Sequence, residues 1–136
     1  MNQASLGEPW RWVNRAALLR LHEMGIAQFG GAPGLRDEGL LDSALARPEQ
    51  LAHYGTPDTA DLAAAYGFGL AKNHPFVDGN KRVAFLAVGL FLRLNALRLT
   101  ATQASATQTV LALAAGQLLE SDFAVWVRKN TQKYEA

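Results

Sequence analysis

One short run carries most of the chemistry in this chain. His74-Pro75-Phe76-Val77-Asp78-Gly79-Asn80-Lys81-Arg82 places an imidazole, a carboxylate, a flexible turn residue, an amide and two cations within nine residues. Ten residues without a charge follow, Val83 to Leu92. An imidazole with an ordinary pKa of about 6.5 suits proton abstraction from a hydroxyl near neutral pH. A carboxylate is a hard oxygen ligand, and Mg²⁺ usually takes one or two of these together with phosphate oxygens. Lys81 and Arg82 fall in the first turn of a predicted helix, at the positive end of its dipole, a misfit of roughly 0.3–1 kcal/mol each. A phosphate bound there removes the misfit, because free N–H groups, dipole and cations converge on one anion. The bland alternative is a loop whose Lys and Arg point into solvent. A local rule broken at this many adjacent positions favours the phosphate site.

The flanking residues must position that run. Pro75 disfavours the α conformation at His74, so a helix arriving from the N-terminal side should stop near Asn73. Gly79 suits a tight loop, and Asn80 is a good N-cap for the helix that follows. That helix, Lys81 to Asn95, is apolar on every face through Leu92, the mark of a buried central helix. It is shorter than the roughly 20 apolar residues a membrane span needs. Phe76 is expected to plug the loop into the core.

Elsewhere, Asn14 caps a first predicted helix that runs to Phe29 and ends at Gly30-Gly31. Residues 30–36 form a Gly/Pro loop or short hairpin. A second helix is expected from Asp37 to Arg47, stopped by Pro48. Asp58 or Thr59 caps a third, reaching Asn73. After the central helix come one from Ser105 to Ala115, broken at Gly116, and a last one capped by Ser121. In the last helix Phe123, Trp126 and Val127 are spaced to face the core. Strand signals are nearly absent. The expected fold is all-α, five to six helices around one buried helix, with a short flap loop, in a single domain spanning residues 1–136. Trp10, Trp12 and Trp126 should pack the core, and His22 and His53 are assigned no function.

Composition sets the outer bounds. Of the 136 residues, 49% are hydrophobic and 18% charged, the balance of a well-cored chain and not of a disordered one. A net charge of +1 gives no strong bias toward nucleic acid or membrane. With no cysteine there are neither disulfides nor thiolate metal sites. The N-terminus lacks a basic stretch followed by an apolar core, so a secretion signal is not expected. Both features are compatible with a cytoplasmic protein.

The run at residues 74–82 resembles the signature of the Fic/Doc superfamily, close to H-x-F-x-[D/E]-[A/G]-N-[G/K]-R at the start of a central helix. His74, Phe76, Asp78, Gly79, Asn80, Lys81 and Arg82 fill all seven specified positions. Trp10 to Gly31, with Leu21-His22-Glu23 and Phe29-Gly30-Gly31, looks like the opening helix of the Doc (death-on-curing) branch. Gly34 to Pro48 looks like that branch's flap and second helix.

This resemblance implies an enzyme in which a protein hydroxyl attacks a phosphorus of ATP, with Mg²⁺ as cofactor. His74 would be the general base, Asp78 the metal ligand, and Gly79, Asn80, Lys81 and Arg82 the phosphate holders. Arg36 and Asp37 on the flap would help dock the target. Attack on the γ-phosphorus transfers phosphate, as Doc does to a threonine of translation elongation factor Tu, arresting protein synthesis. Attack on the α-phosphorus transfers AMP, as in most Fic enzymes. Lys81 replaces the Gly of AMP-transferring members, and Phe85 stands where they carry a second Arg, so both favour phosphate transfer. Gly79 and Pro75 are more typical of Fic.

The same resemblance implies a Phd-like antitoxin that blocks the site. The segment Thr131-Gln132-Lys133-Tyr134-Glu135-Ala136 nearly matches the inhibitory helix pattern of self-restrained Fic enzymes but fails at its last position. A rival from another class is a small helical binding module without catalysis. Its Lys and Arg residues would form a basic recognition helix, whereas here they are scattered, so direct nucleic-acid binding is not expected.

Overall fold

The computed structural model describes residues 10–135. Among them are six helices and two very short strands. Helix α1, Arg15–Phe29, starts at Asn14, whose side chain accepts from the Ala17 N–H, and ends at Gly30, which takes a φ of 90°. Helix α2, Glu38–Tyr54, is capped by Asp37, which accepts from the Leu40 N–H. Helix α3, Thr59–Asn73, opens with a reciprocal capping box between Asp58 and Asp61. Helix α4 is Asn80–Leu94, α5 is Gln103–Ala114 and α6 is Glu120–Lys129. The expected caps Asn14 and Asp58 are in place, and Asp37, expected as the first residue of the second helix, caps it instead.

Besides the start of α4, described with the site, three boundaries differ from expectation. Helix α2 does not stop at Pro48 but runs on to Tyr54. Pro48 gives up one helical hydrogen bond, yet it is buried on the same face as Leu41 and Ala44, which packs against Gly69 of α3. Burial of that face outweighs one lost bond. Helix α5 is capped by Thr102, whose side chain accepts from the Ser105 N–H. Helix α6 begins after Leu119, ahead of Ser121.

Leu97–Leu99 (β1) and Thr131–Lys133 (β2) pair antiparallel, Leu97 opposite Lys133 and Leu99 opposite Thr131. The sequence carried almost no strand signal here, and the near match to an inhibitory helix falls on β2. Its first three residues are extended, so no such helix forms over them. Ala136 lies outside the described residues.

Helix α4 is buried along Val83, Ala84, Ala87, Val88, Phe91 and Leu92. The more completely enclosed helix is α3, which packs against α2, α4, α5 and α6. Its small residues make that possible. A Cβ added at Gly67 would lie 2.8 Å from both Phe123 and Val88, and one at Gly69 would lie 3.3 Å from the Ala44 backbone. Helix α4 keeps a half-buried side instead, at Phe85, Leu86 and Gly89. Trp12 stacks on Phe91 at 5.8 Å and Trp126 on Phe123 at 5.8 Å, so these indoles seal the core from its rim.

Candidate active site

The loop between α3 and α4 carries the motif, and its shape follows from its residues. Helix α3 ends at His74, which adopts left-handed angles of φ 49° and ψ 57°. A non-glycine residue there costs of order 1–3 kcal/mol and persists only where its surroundings hold it. Arg36 supplies much of that hold. Its Nε donates to the His74 carbonyl at 2.7 Å and its Nη2 to the Asn73 carbonyl at 2.9 Å. The backbone N–H groups of Arg36 and Asp37 both donate to the Pro75 carbonyl, and Val77 N–H donates to Gly34. The expected flap is thus a short backbone zipper with one bridge, Leu35 to Phe76. Within the chain Arg36 fastens the motif loop and Asp37 caps α2.

Phe76 is fully buried and anchors the loop, as its position in the sequence suggested. Asn80 is redirected. It is not the N-cap of α4; Gly79 is, at φ 77°, and Asn80 is the first helical residue. Its buried amide turns back on the loop, where Oδ1 accepts from the Phe76 N–H and Nδ2 donates to the Phe76 carbonyl, both at 2.9 Å. Through these two bonds the Asn80 side chain shapes the loop, and the second hydrogen of its Nδ2 is left over for another acceptor. Glycine at the N-cap leaves no side chain to satisfy the first turn of α4. Its N–H groups stay open to an anion.

The Asp78 carboxylate is set from two sides. Oδ1 accepts from the Gly79 N–H at 2.9 Å, and Oδ2 accepts from the Ala32 N–H at 3.2 Å. Ala32 follows Gly31, where a Cβ would come within 2.9 Å of Asp78 Oδ2. That close approach, at a φ of 116°, explains the glycine after α1. The Arg82 stem lies across Gly25 of α1, and its guanidinium sits 4.5 Å above the Phe29 ring. Lys81 is exposed.

These groups meet in a cleft of about 490 Å³, lined by His74, Asp78, Gly79, Asn80, Lys81 and Arg82 on one side and Phe29 to Gly31 on the other. The His74 side chain is exposed and makes no hydrogen bond among the described residues, so its imidazole is available to a reacting group. Phe85 does not line this cleft but an adjoining groove of about 380 Å³ between α4 and α5. No group of three or more His, Cys, Asp or Glu side chains could hold a metal among the described residues. A single carboxylate fits Mg²⁺ only in partnership with phosphate oxygens, its ordinary mode of binding.

Helix α1 supplies what the motif alone does not reveal. His22, assigned nothing from the sequence, is 5% exposed, and its Nε2 lies 2.7 Å from the Asp78 carbonyl oxygen. Its ring stacks on Phe76 at 3.7 Å. One signal was there to be read: His22 shares a helical face with Leu18 and Gly25, which are also buried.

The helical fold and the cleft at the head of α4 place this chain in a defined class. Residues 12–92 match the Fic/DOC family, and the chain belongs to that family, on its Doc branch. Toxin Doc of Mycolicibacterium smegmatis is 49% identical over 80 residues, 57% of this chain and 61% of that protein. Protein kinase doc of Escherichia phage P1 is 32% identical over 120 residues, 88% of this chain and 94% of the phage protein. The matched region thus spans less than two thirds of the mycobacterial relative and nearly all of the phage one.

Proposed function

We propose that this protein is a Doc-like protein kinase, the toxin of a toxin-antitoxin pair, which moves the γ-phosphate of ATP to a hydroxyl side chain of a target protein. One observation carries the reading: an exposed imidazole, an oriented carboxylate and the uncapped, cation-flanked start of α4 share one cleft. The name of the phage relative, a protein kinase, supports the reaction class, and that of the mycobacterial one supports the toxin role.

His74 takes the proton from the attacking hydroxyl. The hydroxyl oxygen bonds to the γ-phosphorus as the bond to the β–γ bridging oxygen breaks, and ADP leaves. Lys81, Arg82 and the open N–H groups of α4 hold phosphate oxygens and offset charge that grows in the transition state. Gly79 keeps that helix start bare. Asp78 is the residue that would hold Mg²⁺, which neutralises phosphate charge when bound.

Phosphate transfer is favoured over AMP transfer by Lys81, which lines the cleft where AMP-transferring enzymes carry glycine, and by Phe85, which leaves it without a second arginine. Gly79 no longer argues for AMP transfer. Its φ of 77° gives a conformational reason for glycine, since a side chain there costs roughly 1–2 kcal/mol. The target we expect is a threonine of elongation factor Tu in the cytoplasm, with a Phd-like antitoxin as the partner that closes the site.

Purified protein is incubated with elongation factor Tu, Mg²⁺ and ATP labelled at either the α or the γ position. Label from γ alone, lost in His74→Ala, is the expected result. Label from α makes the protein a nucleotidyl transferase. A non-catalytic binding module would show neither, and no magnesium-dependent ATP binding.

A further inference from the structure

Two polar side chains are buried among the described residues, His22 and Asn80, and both hold the same loop. Asn80 has its task inside the motif. His22 comes from α1, 56 residues away, and the transfer chemistry does not use it.

The geometry assigns its proton. The Asp78 carbonyl oxygen can only accept, so at 2.7 Å the His22 Nε2 carries the hydrogen and donates. The ring plane is fixed by the stack on Phe76, at an interplanar angle of 9°. The consequence lies on the other side of the peptide. In a trans peptide the C=O and the next N–H point in opposite directions. With the Asp78 carbonyl held inward by His22, the Gly79 N–H must point the other way, where it meets Asp78 Oδ1 at 2.9 Å. That hydrogen bond sets the carboxylate. A glycine on the far side of this peptide offers little resistance to a flip. A flipped peptide would turn the N–H away from the carboxylate and put a carbonyl at the head of α4.

We propose that His22 is a positioning residue that latches the Asp78–Gly79 peptide, and through it orients the Asp78 carboxylate and the anion-binding start of α4. This rests on the phosphate-transfer reading for its effect on rate, but not for its effect on structure.

Two variants separate donor from stack. His22→Phe keeps an aromatic ring against Phe76 and removes the donor. His22→Gln keeps an amide donor the same number of bonds from Cα. The expected result for His22→Phe is cooperative unfolding, faster amide exchange at Gly79 and Asn80 than elsewhere in the chain, and kcat lower by about 100-fold with KM for the target little changed. His22→Gln should regain part of the lost kcat and of the Gly79 protection. In the wild type, ¹⁵N-histidine spectra should show a slowly exchanging Nε2 proton on His22.

Wild-type kcat and unchanged exchange at Gly79 in His22→Phe would overturn the latch. So would a His22→Gln no better than His22→Phe. Should His22→Phe fail to fold, the decision falls to His22→Gln and the imidazole proton: a wild-type His22 ring protonated on Nδ1 alone refutes the proposal. If the wild type transfers no label at all, the phosphate-transfer reading falls, and the exchange and imidazole measurements still decide the latch.

Discussion

Asn80 and His74 stand six positions apart, and the structure gives them opposite economies. Both polar atoms of the Asn80 side chain bond the Phe76 backbone in a buried setting. Asn80→Ala should leave that N–H and C=O without partners, lowering stability by about 1–3 kcal/mol, read as a lower thermal midpoint. His74 is exposed and bonds nothing through its ring among the described residues. His74→Ala should therefore shift stability by no more than about 0.5 kcal/mol while abolishing γ-label transfer. A variant that loses both stability and transfer at His74, or neither at Asn80, would reverse these assignments. The motif named both residues, but not this division of labour. A sequence shows that an amide is present, whereas its partners depend on how the loop closes.

At the scale of elements, α3 depends on missing side chains. Gly67→Ala would push a methyl to within 2.8 Å of Phe123 and Val88, two fully buried side chains that cannot easily withdraw. The expected destabilisation is about 1–3 kcal/mol, measured by denaturant midpoint; an unchanged midpoint would show that α4 and α6 can yield. The same helix is tied at its start to the end of α6. Arg128 bonds both oxygens of Asp58, at 2.7 and 3.0 Å, and Asp61 at 2.9 Å. The Arg128 hydrogen bonds hold the Asp58 carboxyl at about 2, below the ordinary 3.8. A depressed carboxyl stabilises the fold fully above its ordinary pKa and loses that contribution as pH falls through about 2. Thermal midpoints of wild type and Arg128→Ala should thus differ above pH 3.8 and converge toward pH 2; a constant gap would deny the ion pair its role. The starts of α1, α2 and α3 were legible because Asn14, Asp37 and Asp58 cap through purely local bonds. The end of α2 was not, because Pro48 breaks a local rule that packing on α3 overrides.

Across the whole molecule, the site is assembled from segments far apart in the chain. Helix α1 delivers His22, Ala32 from the turn after it, and the Phe29 ring under Arg82, while the loop before α4 delivers His74 and Asp78 and the start of α4 delivers Lys81 and Arg82. The run at residues 74–82 was readable as chemistry from the sequence, because its residue types sit side by side. The contribution of α1 was not, since no local pattern links residue 22 to residue 78. Nor was the β1–β2 pair, whose three-residue strands are too short to show alternation and are set by the meeting of two distant turns. Among the described residues no helix is long and apolar enough to cross a membrane.

The reaction proposed for this cleft is transfer of phosphate and not of AMP. Its most direct test is the intact mass of elongation factor Tu after incubation with the protein, Mg²⁺ and unlabelled ATP, beside a His74→Ala control. One phosphate-sized addition on a threonine, absent from the control, is expected. An adenylyl-sized addition, or the same phosphate addition with His74→Ala, would contradict it.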